Sequence, residues 1–162
     1  MLKQFYPRER RETTYEIPFE EFYKQGIRGV IFDVDNTLVP HDAPADSRAR
    51  ELFQNLRRIG LESCLASNNK EPRVKKFAED VETRYIYKAG KPKRRGYLEA
   101  IGKMGIKPEE TIVVGDQIFT DIWGANRTGL YSILVNPINP KEEIQIVLKR
   151  IPEKIILYFY ER

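Results

Sequence analysis

Cysteine and histidine are nearly missing from this sequence: Cys64 and His41 are the sole examples in 162 residues. A single thiol cannot build an internal disulfide framework or a cysteine-based zinc site. A single imidazole removes His-rich metal sites and leaves Ser-His-Asp chemistry a poor reading. Long apolar runs are missing too. No stretch approaches the roughly 18 apolar residues needed to span a bilayer, and the opening Met-Leu-Lys-Gln-Phe-Tyr-Pro-Arg lacks the apolar core of a signal peptide. The expectation is a cytoplasmic protein with no transmembrane segment. Internal repeats, low-complexity tracts and domain linkers are also absent, so residues 1–162 read as one domain with a sizeable core.

What remains is an ordinary globular composition, 41% hydrophobic and 32% charged. The net charge of +4 suits an anionic partner without identifying one.

Residues 1–17 show no periodicity and read as an arm. Pro18 suits a first helical position, and Phe19, Phe22 and Tyr23 predict a short helix stopped by Gly26. Val30, Ile31 and Phe32 form a buried strand. Asp46 or Ser47 caps a helix to Ile59, with Ala49, Leu52, Phe53 and Leu56 inside and Gly60 as its stop. Strands follow at Leu61 to Ala66, Arg84 to Tyr87, Thr111 to Val114 and Tyr131 to Val135. Helices are predicted at about Pro72 to Glu79, from Pro92 to Gly105, from Phe119 to Thr128 and from Lys141 to Arg150. This alternation predicts an α/β fold, a central parallel sheet with helices on both faces. Right-handed crossovers place every strand's carboxyl end on one edge.

That edge collects chemistry. Asp33 and Asp35 leave the first buried strand with Asn36 and Thr37 behind them. Ser67 and Asn68 end the second, Lys91 lies in the loop before a helix, and Asp116 ends a later strand. Two carboxylates this close repel unless a cation or a proton intervenes, and Mg2+ takes one or two carboxylates and leaves its other positions to water and phosphate. Taken alone, Asp-Asn-Thr also suits a turn or helix cap, the lesser reading of the two. With Ser67, Lys91 and Asp116 on the same edge, the set suits a phosphate monoester bound against Mg2+, and an aspartate can act as nucleophile.

Asp33-Val-Asp-Asn-Thr37 resembles the first motif of the haloacid dehalogenase-like phosphatases, Ser67 their second, Lys91 their third and Gly115-Asp116-Gln-Ile-Phe-Thr-Asp121 their fourth, in order over about residues 28 to 136. The spelling with Ser-Asn-Asn, Lys-Pro and Gly-Asp-Gln-x-x-Thr-Asp is similar to the YqeG family within subfamily IIIA, itself similar to mitochondrial phosphatidylglycerophosphate phosphatases. The resemblance implies a three-layer Rossmann-like fold and an aspartyl-phosphate mechanism. It makes Asp33 the nucleophile and a Mg2+ ligand, and Asp35 the general acid and base with its main-chain carbonyl on the metal. Asp116 becomes a further metal ligand and Asp121 a support behind it. Thr37, Ser67, Asn68 and Lys91 become phosphate-binding residues. Gln117 stands where many relatives carry a second acid.

The 29 residues between Thr37 and Ser67, and the 23 between Ser67 and Lys91, leave no room for an inserted cap domain. The site should be open, which favours a large substrate or one presented at a surface. Lys88, Lys91, Lys93, Arg94 and Arg95 place five cations in eight residues beside it. The stretch 152–162 is an apolar tail that packs on the domain or meets a membrane or a second copy of the chain. These features converge on a lipid phosphate at a membrane surface, with a peripheral membrane location and a homo-oligomer through the tail as further expectations. Soluble, protein and nucleic-acid phosphates stay open, nucleic acid being the least favoured. The rival reading is a receiver-like phosphoacceptor module, although there the acid pair is adjacent and the Lys-Pro comes last. Cys64 and Trp123 are expected to pack, and His41 to sit in a surface loop.

Overall fold

The computed structural model describes residues 2–139 and 144–162, the side chains of 144–149 excepted. In chain order the elements are β1 (Glu9–Arg11), α1 (Phe19–Lys24), β2 (Gly29–Phe32), α2 (Ser47–Ile59), β3 (Glu62–Ala66), α3 (Glu71–Val81), β4 (Arg84–Ile86), α4 (Arg94–Met104), β5 (Thr111–Gly115), α5 (Trp123–Thr128), β6 (Tyr131–Val135) and α6 (Ile144–Tyr160). The strands form one sheet in the order β1-β6-β5-β2-β3-β4, and every pairing is parallel.

Alternation along the strands sorts the core into two layers. Val30, Phe32, Leu65, Val114 and Ile133 face α1, α2 and α3, while Ile31, Cys64, Ala66, Ile86 and Val113 face α4 and α5. Phe32 and Phe53 are fully buried with ring centroids 5.3 Å apart, and burying each contributes roughly 2–3 kcal/mol. Asp46 Oδ1 accepts from the Ala49 N–H at 2.8 Å to start α2, and Gly60, at φ 103°, ends it in the left-handed conformation.

Several expectations need correction. Residues 1–17 are more than an arm, because Glu9–Arg11 adds a sixth, edge strand beside β6. A three-residue strand of charged side chains has no apolar pattern to reveal it, and charge is what protects such an edge from other chains. The helix expected from Pro92 begins at Arg94, since the Lys93 N–H closes a turn onto the Gly90 carbonyl at 2.9 Å. The segment after Asp116 opens with a π-helical turn, Ile118–Ile122, before α5 begins. The last helix does not stop at Arg150. It runs through Pro152 to Tyr160, and the start expected at Lys141 lies outside the described residues. A proline inside a helix costs about 3 kcal/mol. Here Pro152 faces solvent, while Ile156 and Leu157 pack on Ile118, Ile122, Leu134 and Phe119.

The stretch from Pro152 onward is therefore the outer half of a helix docked on the π-helical turn and on Leu134 of β6, with Ile151, Ile155, Tyr158 and Phe159 left exposed. Among the described residues no domain is inserted between strands, and no helix is long and apolar enough to cross a membrane.

Candidate active site

β2 lies between β5 and β3. The chain leaves β2 toward one neighbour and returns to the other, and such a reversal opens a crevice at the carboxyl ends of the strands. Asp33 enters it one residue beyond β2, Ser67 one residue beyond β3 and Asp116 one residue beyond β5. Lys91 comes in from the loop between β4 and α4.

One oxygen from each of Asp33, Asp116 and Asp121 lies within 4.8 Å of the others. Lys91 Nζ donates to Asp33 Oδ1 at 3.0 Å and to Asp121 Oδ1 at 2.6 Å. Thr37 Oγ1 donates to Asp116 Oδ1 at 3.1 Å, with Asp33 Oδ2 3.5 Å away. Asp121 reaches this cluster by lying over a glycine: a Cβ on Gly115 would stand 2.3 Å from its Cγ. Asp116 and Asp121 are each 1% exposed. Burial first, then Asp33 and Asp121, push the Asp116 carboxyl well above its ordinary value, against the opposing pull of Arg150. Burial and Asp33 push Asp121 up to about 6, although Lys91 draws it down. Burial disfavours the charged Lys91, yet Asp121 and Asp33 hold its ammonium well above the ordinary lysine value.

These residues fit a hard divalent cation. They are oxygen ligands, closely spaced, two of them buried and Asp33 partly so, and their three carboxylates outnumber the two cations, Lys91 and Arg150, set against them.

Asp35 stands apart. Its carboxylate accepts from the Asp42 N–H at 2.8 Å and from Arg73 Nη2 at 2.9 Å. Asn69 Nδ2 is 3.5 Å away and His41 Nδ1 3.9 Å. Burial alone would raise this acid, but the Asp42 N–H, then Arg73, then His41 bring it below the ordinary value.

Ser67 is buried at the end of β3, and its Oγ accepts from the Asn69 N–H at 3.1 Å. Asn68 commits both ends of its amide to Lys91: Oδ1 accepts from the Lys91 N–H at 2.8 Å, and Nδ2 donates to the Lys91 carbonyl at 3.1 Å. That clamp fixes the loop presenting Lys91. Gln117 turns its amide oxygen to Thr120 Oγ1 at 3.4 Å and donates its N–H to Asp121 Oδ2 at 3.1 Å. Lys91 is buried on the acids, so only Lys88, Lys93, Arg94 and Arg95 of the basic run are exposed. Trp123 packs edge-on against Phe5, with centroids 5.2 Å apart.

Three residues at the site escape a reading of motifs. Arg73 lies in the first turn of α3, and nothing in its spacing marks it. Arg150 Nη2 donates to Asp116 Oδ2 at 2.6 Å, and Glu153 is 5% exposed. Arg150 and Glu153 stand three apart in a helix that also carries Gln145, Lys149 and Lys154, so nothing in the sequence sets them off as a buried pair, although buried charges are found in pairs.

The family model of the haloacid dehalogenase-like hydrolases matches residues 41–129. The "Probable phosphatase YqeG" of Bacillus subtilis is 37% identical over 164 residues, covering all of this chain and 95% of that protein. The chloroplastic/mitochondrial phosphatidylglycerophosphate phosphatase 1 of Arabidopsis thaliana is 30% identical over 81% of this chain, which spans only 40% of that protein's length. The crystal structure of a HAD-superfamily hydrolase from Ehrlichia chaffeensis superimposes with a TM-score of 0.56 at 16% identity, covering 79% of this chain and 97% of the other.

Proposed function

The chain belongs to the haloacid dehalogenase-like phosphatases of the YqeG family and is a phosphoric monoester hydrolase; on that premise we propose that it works with Mg2+ through a phosphorylated Asp33. The observation that carries this reading is the cluster of Asp33, Asp116 and Asp121 within 4.8 Å, in which Lys91 bridges Asp33 and Asp121. We read residues 1–162 as one catalytic domain.

Asp33, Asp116 and the main-chain carbonyl of Asp35 are the proposed metal ligands, with Asp121 behind them holding Lys91. A bound Mg2+ supplies charge neutralisation and orientation of the phosphoryl group. Lys91, on a loop that Asn68 secures, holds the phosphoryl oxygens together with Ser67 and Thr37. A carboxylate oxygen of Asp33 attacks phosphorus, and the bond from phosphorus to the substrate oxygen breaks. Asp35 gives that oxygen a proton. Water then attacks the aspartyl-phosphate while Asp35 takes a proton from it, which releases inorganic phosphate and restores Asp33. The Arg73 contact suits Asp35 as the base of the second step. To act as the acid of the first, it must exchange Arg73 for the substrate.

For substrate we propose a lipid phosphate of the phosphatidylglycerophosphate kind, met at a membrane surface. Support comes from the likeness to the Arabidopsis enzyme, the absence of an inserted cap among the described residues, and the exposed cations Lys88, Lys93, Arg94 and Arg95 beside the crevice.

Purified protein should hydrolyse a generic aryl phosphate only with Mg2+, and Asp33→Asn should lower kcat by roughly 10^4-fold or more, the scale on which losing a covalent nucleophile acts. Full activity in excess chelator, or an active variant, sinks the mechanism. A stable phospho-form without turnover would point to a phosphoacceptor module. Phosphatidylglycerophosphate in vesicles, sugar phosphates, nucleotides and phosphopeptides should then be ranked by kcat/KM. The lipid is expected to lead, and a soluble ester hydrolysed far faster would remove the membrane reading alone.

A further inference from the structure

Arg150 is held where it can act on the cation site without entering it. On the inner side of α6, Nη2 donates to Asp116 Oδ2 at 2.6 Å, and Nη1 donates to the Asp116 carbonyl and to Glu153 Oε2 at 2.9 Å. Glu153 in turn accepts from the Ile118 N–H at 2.8 Å through its other oxygen. A planar fork that grips both a carboxylate oxygen and the carbonyl of the same residue fixes its side chain and its backbone together. Glu153 ties that fork to the turn that follows Asp116. The two oxygens of Asp116 thus have different duties. Oδ2 is held from α6, while Oδ1 accepts from Thr37 Oγ1, which also lies beside Asp33 Oδ2.

We propose that Arg150 is a positioning residue for the cation site: it holds Asp116 by its outer oxygen and carbonyl so that Oδ1 is presented beside Asp33, and Glu153 locks Arg150 in place. The proposal rests on the reading of Asp116 as a metal ligand. Two effects of losing Arg150 oppose each other. A freed Asp116 rotates and presents Oδ1 less often, which weakens cation binding. A missing positive charge strengthens it. Orientation should win, because Glu153 lies against the guanidinium and offsets its field beyond Asp116.

Calorimetric titration of the full chain with magnesium chloride, beside a thermal melt, tests this. Arg150→Met should weaken Mg2+ binding by about 10–100-fold, the range for contacts that orient a metal ligand, and Arg150→Lys should recover part of the loss. Binding equal to or tighter than the parent's in a folded Arg150→Met protein overturns the proposal. If that variant does not fold, Glu153→Gln decides, since it loosens Arg150 without touching Asp116: severalfold weaker binding sustains the proposal and unchanged binding overturns it. Asp116→Asn separates the two readings. Parent-like Mg2+ binding in that variant means Asp116 is not a ligand, whereas its loss together with intact binding in Arg150→Met removes only the role given to Arg150.

Discussion

Asp35 and Asp116 are each gripped by an arginine, at 2.9 Å and 2.6 Å, and they are driven in opposite directions. Asp35 is held below the ordinary carboxylate value, while Asp116 is pushed well above it. A cationic partner is common to both, so it cannot be the cause of the difference. Asp116 is more deeply buried and has Asp33 and Asp121 against it, whereas Asp35 is steadied by a backbone N–H, Arg73 and His41. The lesson is that crowding among acids raises one aspartate even with an arginine against it, while without that crowding the same kind of partner lowers another on the same sheet edge.

The sharpest way to break this comparison is to neutralise each acid in turn. Asp35→Asn should lower kcat by roughly 10^2–10^4-fold, the range of general acid-base catalysis, with Mg2+ affinity by calorimetry close to the parent's. Asp116→Asn should do the reverse at the first step, losing Mg2+ affinity while its melting temperature holds or rises as repulsion is relieved. Equal losses of Mg2+ affinity in both variants would merge the two environments into one.

A smaller effect is expected from the cation itself. Mg2+ at 100 times its Kd should stabilise the protein by about 2.7 kcal/mol, or roughly 5–11 °C in Tm for a chain of this size. The same addition should leave Asp116→Asn nearly unmoved. A Tm rise in that variant matching the parent's would show that the crowding described here is not where Mg2+ acts.

Cys64 offers the mildest contrast, a buried acid outside both clusters. Burial is the leading cause that pushes its thiol up to about 12, and its Sγ meets the neighbouring Leu65 carbonyl at 3.5 Å. Cys64→Ala should leave kcat and Mg2+ affinity at parent values and lower stability by about 1–2 kcal/mol, as small core truncations do. A marked change in kcat would tie this strand to the chemistry.

Much of this architecture is legible in the chain. β2 and β5 are near-continuous apolar runs because both of their faces are covered, and such runs announce themselves. α2 is marked at both ends by Asp46 and Gly60. Asp33, Ser67, Lys91 and Asp116 can be placed on one edge before any coordinates, because parallel strands point the same way. What cannot be read is whatever depends on long-range pairing. β1 is three charged residues whose only reason to be a strand is β6. Arg73 and Arg150 are ordinary surface-type residues until α3 and α6 dock. Pro152 reads as a stop, yet tertiary burial on the far side of the helix carries the chain through it.

The pairing of Glu9 with Ile133 also orders events in time. During synthesis the first strand of the sheet emerges early, but the partner it pairs with follows 124 residues later. At about 5–20 residues per second the wait is roughly 6–25 s. The nascent chain can assemble β2 with β3 during that interval, since those two are close in sequence. The N-terminal segment cannot find its place until β6 has left the ribosome, so the edge of this sheet closes last and from the end of the chain that was made first.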